Sequence, residues 1–271
     1  MEMLKATPFS GKEEYEFVGK EKKGNVYSDC SVNMIGNLKE RNIISPIDDD
    51  IIDALYRYRI LNFALLNKCV ECNQLSKHLN KLREYGILLY FVNPSGQGIY
   101  TLSEGANIYK ELEKNNKYKR SPSKQIGSID GSLVSRYICS NAAYINSAIR
   151  HQNRMKKLKV KKTFLRKISI KGKFEWFQFM FVSVRRNEKN YNYVLEAALD
   201  MDCESNNENY LVLVCEDFRH FDEINDELEK ANIGKLPCIL YTTDRGAYDN
   251  VLNNMYVKKD GRYLSINFSK M

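Results

Sequence analysis

The apolar residues within 46–86 recur three and four positions apart, the spacing that places side chains on one face of a helix. A first helix is predicted to begin at Ser45 and Pro46, because serine caps helices and proline fits their first turn. The aspartates at 48–50 favour the positive end of the helix dipole, which supports the same start. A second and shorter helix is predicted over 62–70.

A third helix is predicted from Asn73, a fair capping residue, to Gly86, a residue type that commonly ends helices. Its polar residues fall on one face and its leucines on the other. The leucines are Leu75, Leu79 and Leu82. The pattern then changes, because 87–92 and 99–102 favour strands and a turn of Asn-Pro-Ser-Gly-Gln-Gly separates them. These features predict a β-hairpin and, after it, a last helix over 104–113.

Two parts of this region carry a resemblance. Gln74-Leu-Ser-Lys-His-Leu-Asn-Lys-Leu-Arg-Glu-Tyr-Gly-Ile-Leu and the later Tyr100-Thr-Leu-Ser-Glu-Gly105 resemble the winged-helix families of bacterial regulators. In those families the third helix carries recognition, its leucines pack inward, and an aromatic-Thr-Leu-Ser/Thr-x-x-Gly segment closes the wing. Gly105 falls one position early here, which affects where the closing helix begins. The resemblance covers about a quarter of the chain.

The resemblance implies that the polar side of the third helix enters the major groove of B-DNA, where Asn or Gln pairs with adenine and Lys with guanine. The candidate base contacts are Gln74, Ser76, Lys77, Asn80 and Lys81. The candidate contacts to phosphate or to the neighbouring minor groove are Arg83, Asn93, Ser95 and Gln97. Two other interpretations stay open, since polar helix faces are often merely solvated and some winged helices bind protein. His78 flanks the leucines, a place more often taken by a packing residue.

The rest of the chain has a different texture. Residues 115–132 are rich in Lys, Ser, Asn and Gly and are interpreted as a linker. Residues 133–155 predict a long amphipathic helix that packs on either domain or pairs with another subunit. Strands and helices then alternate, which indicates a small α/β layer domain. The predicted strands are 174–184, 210–214 and 237–241, and the predicted helices are 191–201 and 221–231.

We therefore expect an α+β or α/β fold in which an N-terminal winged helix-turn-helix precedes a small α/β layer domain. A chain of 271 residues accommodates two domains of ordinary size. The expected divisions begin with a loosely ordered arm over 1–45, within which 35–44 adds a short helix. A DNA-binding domain over 46–114 and a linker over 115–132 follow. A connecting helix and basic run over 133–160 then lead to a C-terminal domain over 161–271.

Basic residues concentrate between Arg150 and Lys173, where no acidic residue occurs, and the whole chain carries a formal net charge of +8. Basic side chains that meet phosphates release counterions and give sequence-independent affinity for DNA. A second DNA contact is predicted here. Its candidate residues are Arg154, Lys156, Lys157, Lys159, Lys161 and Lys162. The alternative is a solvated hinge whose charge balances the acidic residues that follow Asp200.

An enzymatic interpretation has little support. The C-terminal strands end in polar residues, a layout compatible with nuclease-like α/β folds, and a metal-dependent nuclease would need clustered carboxylates. The available carboxylates are Glu175, Glu216, Asp217 and Asp244. However, no Asp/Glu-x-Lys triplet follows the second strand, no glycine-rich nucleotide signature occurs, and the lone pair Cys69 and Cys72 lacks the other ligands of a zinc site. We expect no catalytic residue, metal or cofactor, and free thiols at the cysteines.

The order of a winged helix, a basic link and a small α/β domain also resembles the replication-relaxation and mobilisation accessory proteins of Gram-positive plasmids and conjugative elements. The resemblance implies an auxiliary DNA-binding role in replication or transfer. The expected function is therefore duplex binding, as a transcriptional regulator or as such an accessory factor, with a homodimer or a replication or transfer protein as a further partner. No apolar run reaches the roughly 20 residues of a membrane span, so the cytoplasm is the expected location.

Overall fold

A computed structural model describes residues 13–19, 30–114, 128–150, 165–173, 175–186, 191–199, 201, 208–230 and 238–268, and the backbone of 155–158. Their contacts divide the chain into an N-terminal unit that ends at Val134 and a C-terminal unit that begins at Ser135. Both units contain helices and strands, which confirms the expected mixed α+β class. Among the described residues there is no helix with the length and hydrophobicity that a bilayer crossing requires.

The N-terminal unit combines five helices with a small antiparallel sheet in its described part. Its elements are β1 (Tyr15–Phe17), α1 (Val32–Glu40), α2 (Pro46–Tyr58), α3 (Phe63–Cys69), α4 (Leu75–Glu84), β2 (Leu88–Val92), β3 (Gly98–Leu102), α5 (Glu104–Glu113) and β4 (Ser128–Ile129). The strand order in the sheet is β3-β2-β1-β4, and every pair is antiparallel. The hairpin β2–β3 therefore gains two further strands from distant parts of the sequence.

Side-chain caps fix where these helices begin. The Ser45 hydroxyl accepts a hydrogen bond from the Asp48 backbone, and the Asp48 carboxylate accepts one from the Ser45 backbone, so α2 starts at Pro46 as predicted. Asn62 caps α3 and Ser103 caps α5, each through a side-chain oxygen that accepts one backbone hydrogen bond. α4 differs from the sequence prediction, because its N-cap residue is Gln74 rather than Asn73 and no side chain caps it.

The leucine face of α4 is buried, as its spacing predicts. Leu75, Leu79 and Leu82 are at most 2% exposed, and the helix packs on α2 and β2. α2 contributes Ile51 and Leu55 to the same core, and neither is exposed to solvent. Burial of such side chains supplies roughly 1.5–3 kcal/mol each, so this core determines where α4 lies.

The segment expected to be a loosely ordered arm, 1–45, contains two packed elements. β1 pairs with both β2 and β4, and the Phe17 ring lies 5.5 Å from that of Phe91. α1 buries Ile35 and Leu38 and packs against α5, and the hydroxyl of Ser31 caps its first turn. Burial of these apolar residues explains why they join the unit despite their weak periodicity. Residues 1–12 and 20–29 lie outside the described residues.

The C-terminal unit contains a seven-stranded mixed sheet in its described part. Its elements are α6 (Gly131–Arg150, whose first turn precedes the unit boundary), β5 (Met155–Leu158), β6 (Arg166–Lys171), β7 (Trp176–Ser183), α7 (Asn192–Leu199), β8 (Glu208–Cys215), α8 (Phe218–Lys230), β9 (Cys238–Thr243), α9 (Asp244–Asn250), a 3-10 turn (Val251–Asn253), β10 (Met255–Lys259) and β11 (Arg262–Ile266). The strands follow chain order across the sheet. Only β7, β8 and β9 are parallel to one another among these strands.

α6 is a core helix of the C-terminal unit rather than a bare connector. Its residues Ile138, Cys139 and Ala142 are fully buried. The Asn146 amide donates to the carbonyl oxygens of Ala247 and Tyr248 at 2.9 and 2.8 Å. These contacts place α6 against the C-terminal unit, which is one of the alternatives that its amphipathic pattern left open.

The basic run also departs from its interpretation as part of a connector. Residues 155–158 are the edge strand of the sheet, where Lys156 lies opposite Ser169 and Lys157 opposite Ile168. The consecutive lysines of β5 give no apolar alternation, so this strand carried no strand signal, whereas Ile168 and Ile170 of β6 do alternate with polar residues. Lysine is nonetheless a common residue on sheet edges because its charge discourages further strand pairing.

Candidate nucleic-acid interface

The polar face of α4 is exposed and chemically uncommitted. Gln74, Ser76, Lys77 and Asn80 are all exposed to solvent, opposite the buried leucines of the helix. None of these four side chains forms a hydrogen bond or an ion pair with any other residue that the structure describes. Two amides, a hydroxyl and an ammonium group are thus presented together on one helical surface. These groups are free to bind an external partner.

Lys81 and His78 have a partner inside the unit. Both contact the carboxylate of Asp48, which is fully buried. The His78 Nδ1 atom lies 2.8 Å from Asp48 Oδ1, and the Lys81 ammonium contacts Asp48 Oδ2 and donates to the Ile43 carbonyl oxygen at 3.0 Å. Lys81, which the sequence indicated as a base contact, is therefore held in an internal ion pair.

Burial alone would raise the pKa of Asp48, but hydrogen bonds from Lys81, Ser45 and His78 outweigh it and hold the pKa below its ordinary value. Asp48 is therefore a carboxylate at neutral pH. The backbone N–H and the hydroxyl of Ser45 donate to it at the start of α2, and Lys81 and His78 contact it from α4, so one buried anion connects two helices.

Arg83 is also engaged within the unit. Its guanidinium carbon lies 4.6 Å from the centroid of the Tyr90 ring, and Nη2 donates to the Val18 carbonyl oxygen at 3.3 Å. The Tyr90 and Tyr100 rings are themselves 4.8 Å apart on the same face of the hairpin. Arg83, predicted as a phosphate contact, thus covers an aromatic surface.

The polar residues of the hairpin turn form hydrogen bonds within the N-terminal unit. The Asn93 side chain is 5% exposed, accepts a hydrogen bond from the Gln97 backbone at 2.7 Å, and donates to the Gln97 side chain at 3.1 Å. Ser95 donates to the Glu13 carboxylate. Gly96 has a φ of 78°, which suits a glycine. The turn holds no basic residue, and the predicted phosphate contacts Asn93, Ser95 and Gln97 all form side-chain hydrogen bonds within the N-terminal unit.

The second predicted interface is described only in part. The side chains of Lys156 and Lys157, and the whole of Arg154, Lys159, Lys161 and Lys162, lie outside the described residues. The adjoining strand β6 is described and presents Lys167 half-buried and Lys171 exposed. No acidic residue occurs on β5 or β6. This edge of the sheet is therefore positively charged.

The carboxylates considered for a nuclease do not form one site. Glu175 precedes β7, whereas Glu216 and Asp217 follow the parallel strand β8, so the length of an eight-residue strand, about 25 Å, separates the two ends. Asp244 follows β9 and is 2.9 Å from Arg185 in a fully buried ion pair. Among the described residues, no three His, Cys, Asp or Glu side chains come together as a metal ion would require.

Arginine side chains form ion pairs with the acidic residues that follow the carboxyl ends of β8 and β9. Arg186 binds the Asp217 carboxylate through both terminal nitrogens, at 2.7 and 2.8 Å, and donates to Glu223 at 3.2 Å. Burial, together with the nearby charges of Arg186 and Arg185, lowers the pKa of His220 to about 4. His220 is thus neutral at physiological pH. The sequence did not predict this arginine–carboxylate cluster. The adjacent arginines that follow β7, Arg185 and Arg186, were the one signal that could have indicated it.

Cys69 and Cys72 are half-buried and form no disulfide among the described residues. Cys72 accepts a hydrogen bond at sulfur from the Gln74 backbone, just before α4 begins. No disulfide among the described residues involves Cys30, Cys139, Cys215 or Cys238, and Cys203 lies outside the described residues.

No family model, curated protein or solved structure matches this chain.

Proposed function

We propose that this chain binds double-stranded DNA through α4, as the recognition helix of a winged helix, and acts as a transcriptional regulator or as an accessory factor in plasmid replication or transfer. The observation that carries the proposal is the exposed face of α4 formed by Gln74, Ser76, Lys77 and Asn80. Their side chains have no hydrogen-bond or ion-pair partner among the described residues. Amide side chains pair with adenine and lysine with guanine in the major groove, so this set can both read and attract a duplex.

The surrounding architecture supports the same proposal. Residues 46–113 follow the order helix, helix, helix, strand, strand, helix that winged helices have. α4 is seated by three buried leucines and continues into the hairpin within four residues of its end. A rigid helix that presents short polar side chains is the geometry by which such domains contact base edges.

We propose the basic edge of the C-terminal sheet as a second, sequence-independent contact. Lys167 and Lys171 on β6 represent it in the described part of the chain, and the lysine-rich residues around β5 extend it. Each phosphate contact releases condensed counterions and so adds about 0.9 to the slope of log affinity against log salt. Binding through both contacts gives an affinity that falls steeply as salt rises.

Charge reversal at Lys77 tests the proposal. Lys77→Glu should lower the affinity for a mixed pool of 30-base-pair duplexes about tenfold or more, since a cation that attracts phosphate is lost and the new carboxylate is repelled by phosphate. Because the Lys77 side chain has no partner among the described residues, its loss should leave thermal stability within about 0.5 kcal/mol. Fluorescence anisotropy at several salt concentrations measures the affinity.

The matched control is Lys230→Glu, which changes the net charge equally at an exposed helical lysine of α8. This variant should retain wild-type affinity. Equal affinities for wild type and Lys77→Glu, or equal losses in both variants, would refute a contact at α4. A winged helix that binds protein instead would give no salt-sensitive duplex affinity in the wild type.

A further inference from the structure

The azimuth of α4, meaning its rotation about its own axis, decides which side chains a duplex would meet. The leucine packing fixes the depth of the helix, but apolar contacts are non-directional and define rotation weakly. α4 also lacks a side-chain cap at its first turn. Directional contacts elsewhere on the helix must therefore hold its rotation.

Asp48 supplies two such contacts on one flank of α4. His78 and Lys81 are three residues apart, hence about 4.5 Å apart along the helix axis, and both reach the same buried carboxylate. Asp48 is itself immobilised by the Ser45 backbone N–H at 2.7 Å and the Ser45 hydroxyl at 2.6 Å. A charged, hydrogen-bonded anchor of this kind is stronger and more directional than a neutral one.

We propose that Asp48 is the positioning residue of the DNA-binding helix: it holds α4 at the azimuth that presents Gln74, Lys77 and Asn80, and it keeps the charge of Lys81 from phosphate. This inference rests on the proposed function of α4. It gives the two lysines of α4 different roles: Lys77 contacts the duplex, whereas Lys81 binds Asp48 in the free and the bound protein.

The proposal predicts an unusual gain of charge-dependent binding. Asp48→Asn retains oxygen and nitrogen groups near Ser45 but removes the charge that binds the Lys81 ammonium, which then keeps only the neutral Ile43 carbonyl oxygen as a partner and exchanges it for phosphate. Its slope of log affinity against log salt, measured with a random-sequence 30-base-pair duplex, should steepen by about 0.9. Removing the released cation as well, in Asp48→Asn with Lys81→Met, should return the slope to that of the wild type. A purely structural role for Asp48 would weaken binding without steepening the slope.

Two single variants complete the experiment. Asp50→Asn changes the net charge equally at an exposed position of the same helix, and its slope should equal that of the wild type. Lys81→Met leaves Asp48 in place and should also keep the wild-type slope, a result that holds even where Asp48→Asn fails to fold. A slope reduced by about 0.9 in Lys81→Met would overturn the inference, and so would an unchanged slope in folded Asp48→Asn. In either case the affinity of Lys77→Glu would still show whether α4 contacts the duplex. Absence of salt-sensitive binding by the wild type would overturn the proposed function, and this inference with it.

Discussion

Replacing Arg185 with methionine should lower the free energy of unfolding of the C-terminal unit by about 3–5 kcal/mol, because it leaves the Asp244 carboxylate buried without its counter-ion. Both side chains are at most 1% exposed, and their nearest atoms are 2.9 Å apart. Arg185 also donates to the Ser135 carbonyl oxygen at 3.4 Å, so the guanidinium joins α6, the end of β7 and the start of α9.

Trp176 is the single tryptophan of the chain and lies on β7, so its fluorescence in urea reports the unfolding of this unit. The loss should depend on pH. Burial raises the pKa of Asp244 although Arg185 opposes this, and without Arg185 the folded-state pKa rises further. A carboxyl whose folded pKa exceeds its unfolded pKa destabilises the fold increasingly as pH rises. The difference between variant and wild type should therefore be smaller at pH 5 than at pH 8.

Two further variants separate the ion pair from simple loss of volume. Asp244→Asn leaves Arg185 charged and should be destabilised comparably, but without a smaller loss at pH 5, since arginine does not deprotonate. Combining Arg185→Met with Asp244→Leu removes both buried charges and should recover most of the loss. A free energy of unfolding of Arg185→Met within about 1 kcal/mol of the wild-type value at pH 8 would contradict the stabilising role given to the Arg185–Asp244 ion pair.

Gly105→Ala should be the most damaging small substitution in the N-terminal unit. A Cβ atom at this position of α5 would lie 1.6 Å from the carbonyl oxygen of Cys30, and backbone cannot yield as a flexible side chain can. We expect a loss of about 3 kcal/mol, at the upper end of overpacking effects, together with release of α1 from α5. Hydrogen–deuterium exchange of the peptides that cover α1 and α5 would show this as faster exchange.

Gly36→Ala is the control for that substitution. Gly36 lies inside α1, and a Cβ atom there would have no neighbour within 4 Å. Because alanine favours helix, this variant should be more stable by about 0.5–1 kcal/mol, the opposite sign. Unchanged exchange of α1 and α5 in Gly105→Ala would show that Cys30 does not lie against α5. The close approach of the Cys30 carbonyl oxygen explains why a glycine stands at position 105.

The predictable parts of the fold are those with strong local signals. The Ser45–Pro46 start of α2, the leucine face of α4 and the hairpin all follow from nearby residues. β1 was not predictable, because it is three residues long and pairs with β2, about 75 positions later in the chain. The lysine-rich strand β5 also lacks alternation and forms only because β6 offers it an edge.

The residues of the candidate site likewise differ in how far the sequence predicts their contacts. Exposure of Gln74, Ser76, Lys77 and Asn80 follows from helical geometry once the leucines are buried. The internal partner of Lys81 does not, since Asp48 lies 33 residues earlier and meets Lys81 only through the packing of α2 on α4. Sequence periodicity shows which face of a helix is polar, whereas tertiary contacts decide which polar residues remain available.

The most direct test of duplex binding by α4 is a cross-link at its exposed face. A photo-crosslinking amino acid in place of Asn80 should attach covalently to a labelled 30-base-pair duplex, and the yield should fall as salt rises. The same amino acid in place of Lys230 should give background yield. Efficient duplex binding by the labelled protein with no cross-link at position 80 above that background would contradict the proposed role of α4.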